Sequence, residues 1–236
     1  MTDPRGQTSW LTQELSDLPA SLTWLGPHEH AWLERLHVAK RRRDFLLGRW
    51  TAKRAIAAHL APATPAAAAI VIRAAGDGAP EAFLDGTPLP LVVSISHSDG
   101  RALAVVRSAG PAIGCDLEHV EPRSQGLVDD FFTPAEAARV AACAPAQRDR
   151  VITLIWSAKE SALKALRVGL REDPRHVCVI GDDAGSREPA DAWLAMRVAV
   201  IGTGQSLAGW WRSDDAFVLT VVGDAVVSPP VPVGAG

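Results

Sequence analysis

The stretch from Arg148 to Val168, RDRVITLIWSAKESALKALRV, carries apolar side chains at helical spacing, among them Ile155, Leu163 and Leu166. Gly169 follows and is typical of a residue that ends a helix. The pattern therefore predicts one long helix with a buried face, and the flanking segments must supply the surface that covers it.

Short runs rich in β-branched and apolar residues flank this helix on both sides. After it, runs at 176–180, 193–200, 207–212 and 217–222 predict an antiparallel meander. Before it, runs at 70–73, 91–95, 103–107 and 112–118 also predict strands. The Ser-Ala-Gly-Pro sequence at 108–111 predicts a hairpin turn between the last two of these.

Two further helical signals lie upstream. Thr133-Pro134-Ala135-Glu136 is a capping box with proline at the first helical position. From Pro27 to Pro62 the apolar residues recur at helical spacing with no proline between, so we expect a continuous helix there.

The order helix then strands therefore occurs twice, although no residue-level repeat is evident. We predict an α+β fold of two similar lobes, an N-terminal one at 1–110 that carries a basic helix and a C-terminal one at 111–236. The proline-rich segment from Ser228 is expected to be a loose tail.

Composition sets outer limits on the class of protein. The 236 residues are 47% hydrophobic and 22% charged, which is typical of a globular chain and excludes a disordered one. The longest apolar stretch, 66–72, is too short to span a bilayer. The first 25 residues lack the apolar region of a signal peptide, so we expect a cytoplasmic protein that does not associate with a membrane. Three widely spaced cysteines support neither a disulfide framework nor structural zinc.

The charge is strongly polarised although the net value is only −3. Residues 34–54 carry +6, which leaves −9 for the remainder of the chain. The four adjacent basic residues Lys40 to Arg43 favour a bound polyanion because like charges repel unless they are countered. The alternative is a solvated helix face, and binding of nucleic acid is a further alternative that lacks any recognisable reading motif.

Asp116 and Glu118 lie two residues apart on a predicted strand, so both carboxylates leave the same face while Cys115 and Leu117 leave the other. Two aligned carboxylates are half of a site for Mg²⁺, which takes one or two carboxylates together with substrate phosphates. The alternative is an ordinary solvent-facing strand edge, in which polar and apolar residues alternate.

Glu160 and Lys164 stand one turn apart on the long helix. An ordinary surface ion pair has this order and spacing. If the pair faces the Asp116 strand instead, one group can bind metal or accept a proton while the other stabilises an anionic leaving group. Ser94 to Gly100, SISHSDG, runs from a strand into a polar turn in which His97 and serine hydroxyls could hold phosphate.

These elements together resemble the 4'-phosphopantetheinyl transferase superfamily, specifically its longer single-chain type with two fused lobes. The resemblance rests on a basic helix with Gly48-Arg49, then SxSHS, then GxDxE at 114–118, and then WxxKExxxK at 156–164. It covers about Arg41 to Gly169, and FFTPAE at 131–136 matches the segment that often lies between the last two motifs.

The resemblance implies two lobes related by a pseudo-twofold, with the active site and coenzyme A in the cleft between them. It also implies transfer of the phosphopantetheine arm to a serine of an acyl or peptidyl carrier protein, with release of adenosine 3',5'-bisphosphate. A monomer is expected, because two fused lobes need no second subunit. The alternative from the binding class is a catalytically idle relative that still binds a carrier protein or coenzyme A.

The resemblance also assigns roles to residues. Asp116, Glu118 and Glu160 would hold Mg²⁺ against the pyrophosphate, and Glu160 would also act as the base toward the incoming serine. Lys164 would offset charge on the phosphates and the leaving group. The remaining cofactor-binding candidates share a phosphate-contacting role, and these are Arg41, Arg49, Ser96 and His97.

One position departs from the family pattern. Many relatives carry a Gly-Lys-Pro-like segment before the SxSHS strand, whereas this chain has Gly78-Ala79-Pro80. The missing lysine removes one expected phosphate contact and would weaken coenzyme A binding unless Arg73 or the surplus arginines compensate. It leaves the metal-binding carboxylates unaffected.

Overall fold

The computed structural model describes residues 7–61, 63–108, 110–182, 192–214, 216–224, 226 and 228–233. The chain divides into two compact units, Met1–Gly110 together with Pro230–Gly236, and Pro111–Pro229. Each unit packs one long helix on a mostly antiparallel sheet, and this confirms the α+β class. Residues 230–236 group with the first unit, whereas the sequence analysis assigned them to the second domain.

The first unit is built around one long helix on a mostly antiparallel sheet. Its elements are β1 (Thr8–Glu14), α1 (Pro27–Glu34), α2 (Ala39–His59), β2 (Ile70–Ala74), β3 (Pro80–Leu84), β4 (Thr87–Pro88), β5 (Leu91–Ser98), β6 (Arg101–Ser108) and β12 (Val231–Pro232). The sheets have the orders β12-β1-β6-β5 and β2-β3-β4. Ala52, Ala55 and Ile56 of α2 belong to the buried core, and small side chains there let the helix lie close to β6.

The prediction of one continuous helix after Pro27 is wrong, because the chain turns between α1 and α2. Leu33 of α1 shares a buried cluster with Trp24 and Leu25, and Leu46 and Trp50 of α2 pack against it. In a single straight helix Leu33 and Leu46 would lie about 20 Å apart. Tertiary packing therefore breaks a segment whose local sequence contains no strong helix breaker.

The second unit contains the predicted long helix. Its elements are β7 (Ile113–His119), α3 (Gln125–Phe131), α4 (Pro134–Ala142), α5 (Arg148–Ala165), β8 (Val177–Asp182), β9 (Leu194–Val200), β10 (Ser206–Ser213) and β11 (Phe217–Gly223). The sheet order β7-β11-β10-β9-β8 confirms the meander, with β7 added beside its last strand. The capping box is also confirmed, since the Thr133 and Glu136 side chains bond each other's backbone amides.

The predicted hairpin across residues 108–111 is wrong. β6 pairs with β1 and β5, whereas β7 pairs with β11, so the two strands that flank this segment belong to different sheets. Ala109 itself lies outside the described residues. A turn sequence shows where a strand ends, but it does not encode which strand becomes the partner.

The C-terminal segment also differs from expectation. Val231 and Pro232 pair in parallel with Ser9 and Trp10, so part of the predicted tail closes the edge of the first sheet. Within the described residues, no helix combines the length and the apolar character that crossing a bilayer requires.

His59 at the end of α2 links this helix to the sheet. Its Nδ1 lies 3.0 Å from Ser9 Oγ of β1, and its Nε2 lies 3.2 Å from Ser108 Oγ of β6. Burial lowers the pKa of His59 from its ordinary value. The folded protein therefore binds this proton less readily than the unfolded chain.

We expect acidification through the unfolded-state pKa of about 6.5 to reduce the free energy of unfolding, because the unfolded state takes up more protons. His59→Asn removes this titration and should lose less stability than the wild type between pH 7 and pH 5. Urea unfolding across that range measures the difference. Parallel pH profiles for the two proteins would contradict the role given to His59.

Candidate active site

The site in the second unit depends on the close approach of helix α5 to strand β7 at Gly114. A Cβ at Gly114 would lie 1.9 Å from the carbonyl oxygen of Ser161 and 2.7 Å from the backbone nitrogen of Ala165. Only glycine fits between these backbones. Hydroxyl groups also connect α5 to β11, the strand that pairs with β7. Ser157 Oγ and Ser161 Oγ of the helix lie 2.9 and 2.7 Å from Thr220 Oγ1 of β11.

Lys164 joins the helix to the carboxylates of the strand. Its Nζ donates to Asp116 Oδ1 at 2.8 Å and to the carbonyl oxygen of Cys115 at 3.0 Å, and it lies 3.7 Å from Glu160 Oε2. Asp116 is only 2% exposed. The solvent-facing alternative for Asp116 is therefore excluded, and the Glu160–Lys164 pair is not an isolated surface pair.

Glu118 has a different cation. Arg123 Nη2 donates to Glu118 Oε2 at 2.8 Å and to the carbonyl oxygen of His119 at 3.2 Å. Arg123 lies in the irregular segment after β7, and no sequence pattern described above predicts this contact. A single arginine in a loop forms no periodic pattern from which its partner can be predicted. The one indication in the sequence is Glu118, five residues upstream.

Burial and repulsion between the carboxylates raise the pKa values of Glu118 and Glu160. Burial, reinforced by the Asp116 carboxylate and opposed by Lys164, raises the pKa of Glu160 to about 7. Burial and Asp116 also raise the pKa of Glu118 against the opposing effect of Arg123. Burial alone would lower the pKa of Lys164, but the Asp116 and Glu160 carboxylates outweigh it and raise the pKa above its ordinary value.

The three carboxyl groups therefore influence one another, but they do not form a closed metal cage. Across the residues that the structure describes, no three His, Cys, Asp or Glu side chains are placed so as to hold a metal ion. Lys164 binds Asp116, and Arg123 binds Glu118. The donor chemistry still fits Mg²⁺, since carboxylate oxygens are hard ligands. After burial, the Asp116 carboxylate is the next cause of the raised pKa values of Glu118 and Glu160, and a bound cation would counter that repulsion.

The first unit has its own candidate site, a pocket of about 350 Å³. Arg41, Arg49 and His97 line it, as does Gly48, where a bulkier residue would press on Ile95. Three of the four phosphate-contacting candidates thus come together. Ser96 is buried and does not line this pocket, because side chains alternate along β5 and its neighbours face the cavity instead.

Arg49 is the most buried cation of this pocket. Its guanidinium lies 5.0 Å from the centre of the Phe45 ring, and burial lowers its pKa against the opposing effect of the Glu29 carboxylate. Its Nε has no hydrogen-bond partner among the described residues. An anion in the pocket would offset the desolvation of this group.

Other basic residues of the 34–54 window have structural roles. Arg42 Nη1 donates to the carbonyl oxygens of Leu33 and Leu36, and Lys53 is buried against Glu29. Lys40 pairs with Asp44 at 2.9 Å. The positive charge is thus partly internal, which weakens the case for a nucleic-acid surface.

Two family models match the chain. One, described as the 4'-phosphopantetheinyl transferase superfamily, matches residues 112–210, and the other, the 4'-phosphopantetheinyl transferase N-terminal domain, matches residues 28–107. The former contains the carboxylate site and the latter contains the pocket of the first unit.

Curated proteins show the same similarity. Enterobactin synthase component D of Escherichia coli K12 is 34% identical over 137 residues, which are 57% of this chain and 59% of that protein. The 4'-phosphopantetheinyl transferase AcpT of the same strain is 31% identical over 49% of this chain and 56% of its own. The 4'-phosphopantetheinyl transferase HetI of Nostoc sp. is 27% identical over 46% of each chain. The matched part thus spans about half the length of these relatives.

We expect Gly114→Ala to separate α5 from β7, because the added methyl group would overlap backbone atoms of the helix. Overpacking of this kind costs about 1–3 kcal/mol, and the movement would also withdraw Lys164 from Asp116. Gly181→Ala is the matched control, since nothing lies within 4 Å of a Cβ at that strand position. Chemical denaturation measures both variants, and a Gly114→Ala variant as stable as the wild type would contradict the close approach.

Proposed function

Since the chain belongs to the 4'-phosphopantetheinyl transferase superfamily, we propose that it transfers the phosphopantetheine arm of coenzyme A to a serine of an acyl or peptidyl carrier protein. Adenosine 3',5'-bisphosphate is the second product. Action as a cytoplasmic monomer stays a prediction.

One observation carries this proposal: a single ammonium group, Lys164 Nζ, lies against both Asp116 and Glu160 in a cluster of carboxylates. Phosphoryl transfer needs positioning and positive charge where oxygen charge accumulates rather than a protein nucleophile. Cys115 is buried, so it offers no covalent alternative here.

Glu160 is suited to take the proton of the incoming serine. Without a bound cation, burial raises the pKa of Glu160 to about 7, so this carboxyl is a stronger base than an ordinary glutamate and is still partly ionised at neutral pH. With Mg²⁺ bound, this pKa would be lower, which favours the ionised form that accepts the proton. As the serine oxygen bonds to the phosphorus next to the pantetheine, its proton passes to Glu160 and the phosphoric anhydride bond breaks. Lys164 then lies where it can offset charge on the leaving phosphate.

Asp116, Glu118 and Glu160 would hold Mg²⁺ through their carboxylate oxygens. When bound, the ion supplies Lewis-acid neutralisation of the pyrophosphate oxygens. Binding by Glu118 would require Arg123 to release one of its oxygens or to share it.

The pocket of the first unit is proposed to take the 3'-phosphate of coenzyme A. Arg41 and Arg49 of α2 provide the positive charge, and His97 of β5 also lines the pocket, with its Nδ1 3.9 Å from Asp44 Oδ2. The buried Arg49 guanidinium supports this assignment, because its pKa is lowered by desolvation that a bound anion would counter.

The transfer is tested by incubating the protein, coenzyme A and Mg²⁺ with a panel of apo carrier proteins and recording the carrier mass. We expect the phosphopantetheine mass increase with wild type and a loss of about 10²–10⁴-fold in rate for Glu160→Gln, the range for removal of a general base. Glu121→Gln is the control, because Glu121 is an exposed carboxylate near Arg123. A carrier that binds without gaining mass would support the idle relative instead.

We expect Ala79→Lys to strengthen coenzyme A binding, because Gly78 and Pro80 on either side both line the pocket of the first unit. Ala79 precedes strand β3, so its side chain is not held to the strict alternation that turns Ser96 away, and a lysine there is long enough to reach the pocket. The added ammonium would restore the cation that many family members carry there. Titration calorimetry should show a several-fold lower dissociation constant at low salt, and the gain should fade as salt screens the charge. Ala79→Gln adds similar length without charge, and an equal effect of both substitutions would refute the electrostatic explanation.

A further inference from the structure

A buried ion pair lies beside the proposed catalytic groups on α5. Lys159 Nζ contacts Glu136 Oε2 at 2.8 Å and donates to the carbonyl oxygens of Pro174 at 2.9 Å and Val177 at 2.6 Å. The Lys159 and Glu136 side chains are 0% and 1% exposed. Three acceptors match the three N–H groups of an ammonium, so its hydrogen bonding is complete.

Glu136 extends this contact to two further segments. Its Oε1 accepts from the backbone nitrogen of Val179 at 2.8 Å, and its Oε2 accepts from the nitrogen and the hydroxyl of Thr133 at 2.8 and 2.9 Å. The pair therefore ties the middle of α5 to the start of α4 and to strand β8.

The first unit contains the same arrangement. Lys53 Nζ of α2 donates to Glu29 Oε2 at 2.6 Å and to the carbonyl oxygen of Trp24 at 2.7 Å. Glu29 in turn accepts from the backbone nitrogens of Gly26 at 2.9 Å and Ile72 at 3.2 Å. A helix, a helix start and the following strand are again joined by one lysine and one glutamate.

The sequence around the two pairs repeats as well, although this is evident only once the pairs are aligned. WTAK at 50–53 corresponds to WSAK at 156–159, and GPHE at 26–29 corresponds to TPAE at 133–136. In both units 43 residues separate the glutamate from the strand amide that it accepts. The aligned positions differ after the lysine, where α5 has Glu160 and α2 has Arg54.

A buried ion pair is a poor source of stability, because desolvation of the charges offsets much of their attraction. A buried ion pair does fix the relative orientation of the elements that carry it, since every donor and acceptor must meet its partner. Lys159 lies about 100° around the helix from Glu160 and about 160° from Ser161. The Ser161 hydroxyl contacts Thr220 on one side of α5, and Lys159 contacts its acceptors on another side. Contacts on two sides of the helix fix its rotation about its own axis.

We propose that Lys159 and Glu136 are positioning residues that set the rotation of α5 and so hold Glu160 and Lys164 against Asp116. The inference rests on the proposed function for its kinetic consequence. Lys53 and Glu29 act in the same way on α2, where Arg49 lies one turn before Lys53. The repeated pair therefore positions Glu160 and Lys164 in the second unit and Arg49 in the first.

The experiment compares Lys159→Met with Lys53→Met in the full chain, at a temperature where circular dichroism shows each variant folded. Lys159→Met should lower kcat for carrier modification about 10–100-fold, the range for small misplacement of reacting groups, with little change in KM for coenzyme A. Lys53→Met should instead raise that KM several-fold and spare kcat. Lys159→Arg should restore part of the lost kcat.

Removal of a single partner leaves an uncompensated buried charge and can unfold the protein. The double variant Lys159→Met with Glu136→Gln removes both charges and keeps an amide acceptor for Val179. It should fold and still show the low kcat. A folded double variant with wild-type kcat would overturn the proposal.

A second readout does not depend on activity. Brief acetylation followed by peptide mass spectrometry should label Lys164 several-fold faster in Lys159→Met than in wild type or Lys53→Met, because a rotated helix withdraws Lys164 from Asp116. Equal labelling in all three proteins would overturn the positioning role. A wild-type protein that modifies no carrier would refute the proposed function alone, and the labelling would still decide the inference.

Discussion

The close approach of α5 to β7 at Gly114 is the constraint on which the second unit depends. A side chain at Gly114 would hold the helix further from the strand and so move the Lys164 ammonium away from the Cys115 carbonyl and the Asp116 carboxylate. Because the missing side chain at Gly114 lets the two backbones nearly touch, Lys164 makes short, partly buried contacts to Cys115 and Asp116. The absence of a side chain at Gly114 thus sets how close the Lys164 ammonium lies to the Asp116 carboxylate.

The two lysines of the WSAKESALK segment show how one helix separates structure from chemistry. Lys159 has only internal acceptors, whereas Lys164 is 29% exposed and lies between the carboxylates of Asp116 and Glu160. The first carries no spare hydrogen-bonding capacity for a ligand. The second has the exposure and the position that a substrate phosphate would need.

Local patterns predicted a large part of this structure. The period of apolar residues located α5 and the strands of the meander, and the capping box located the start of α4. Features that depend on distant partners were missed, including the break after α1, the pairing of β6 and the Arg123–Glu118 contact. The motifs predicted that Asp116, Glu160 and Lys164 act together, and the structure brings their side chains close to one another. The role proposed for Lys159 depends on a buried environment that only the folded chain provides.

The pairing of Val231 with Ser9 has a consequence for biogenesis. Strand β12 leaves the ribosome only after the entire second unit has been translated, so the sheet that begins with β1 gains this edge last. Until then β1 has β6 on one side and an unpaired main-chain edge on the other, which is the kind of surface that recruits foreign strands. The nascent polypeptide thus carries a template for mispairing while residues 111–229 are translated, and the emergence of β12 covers the part of that edge at Ser9 and Trp10.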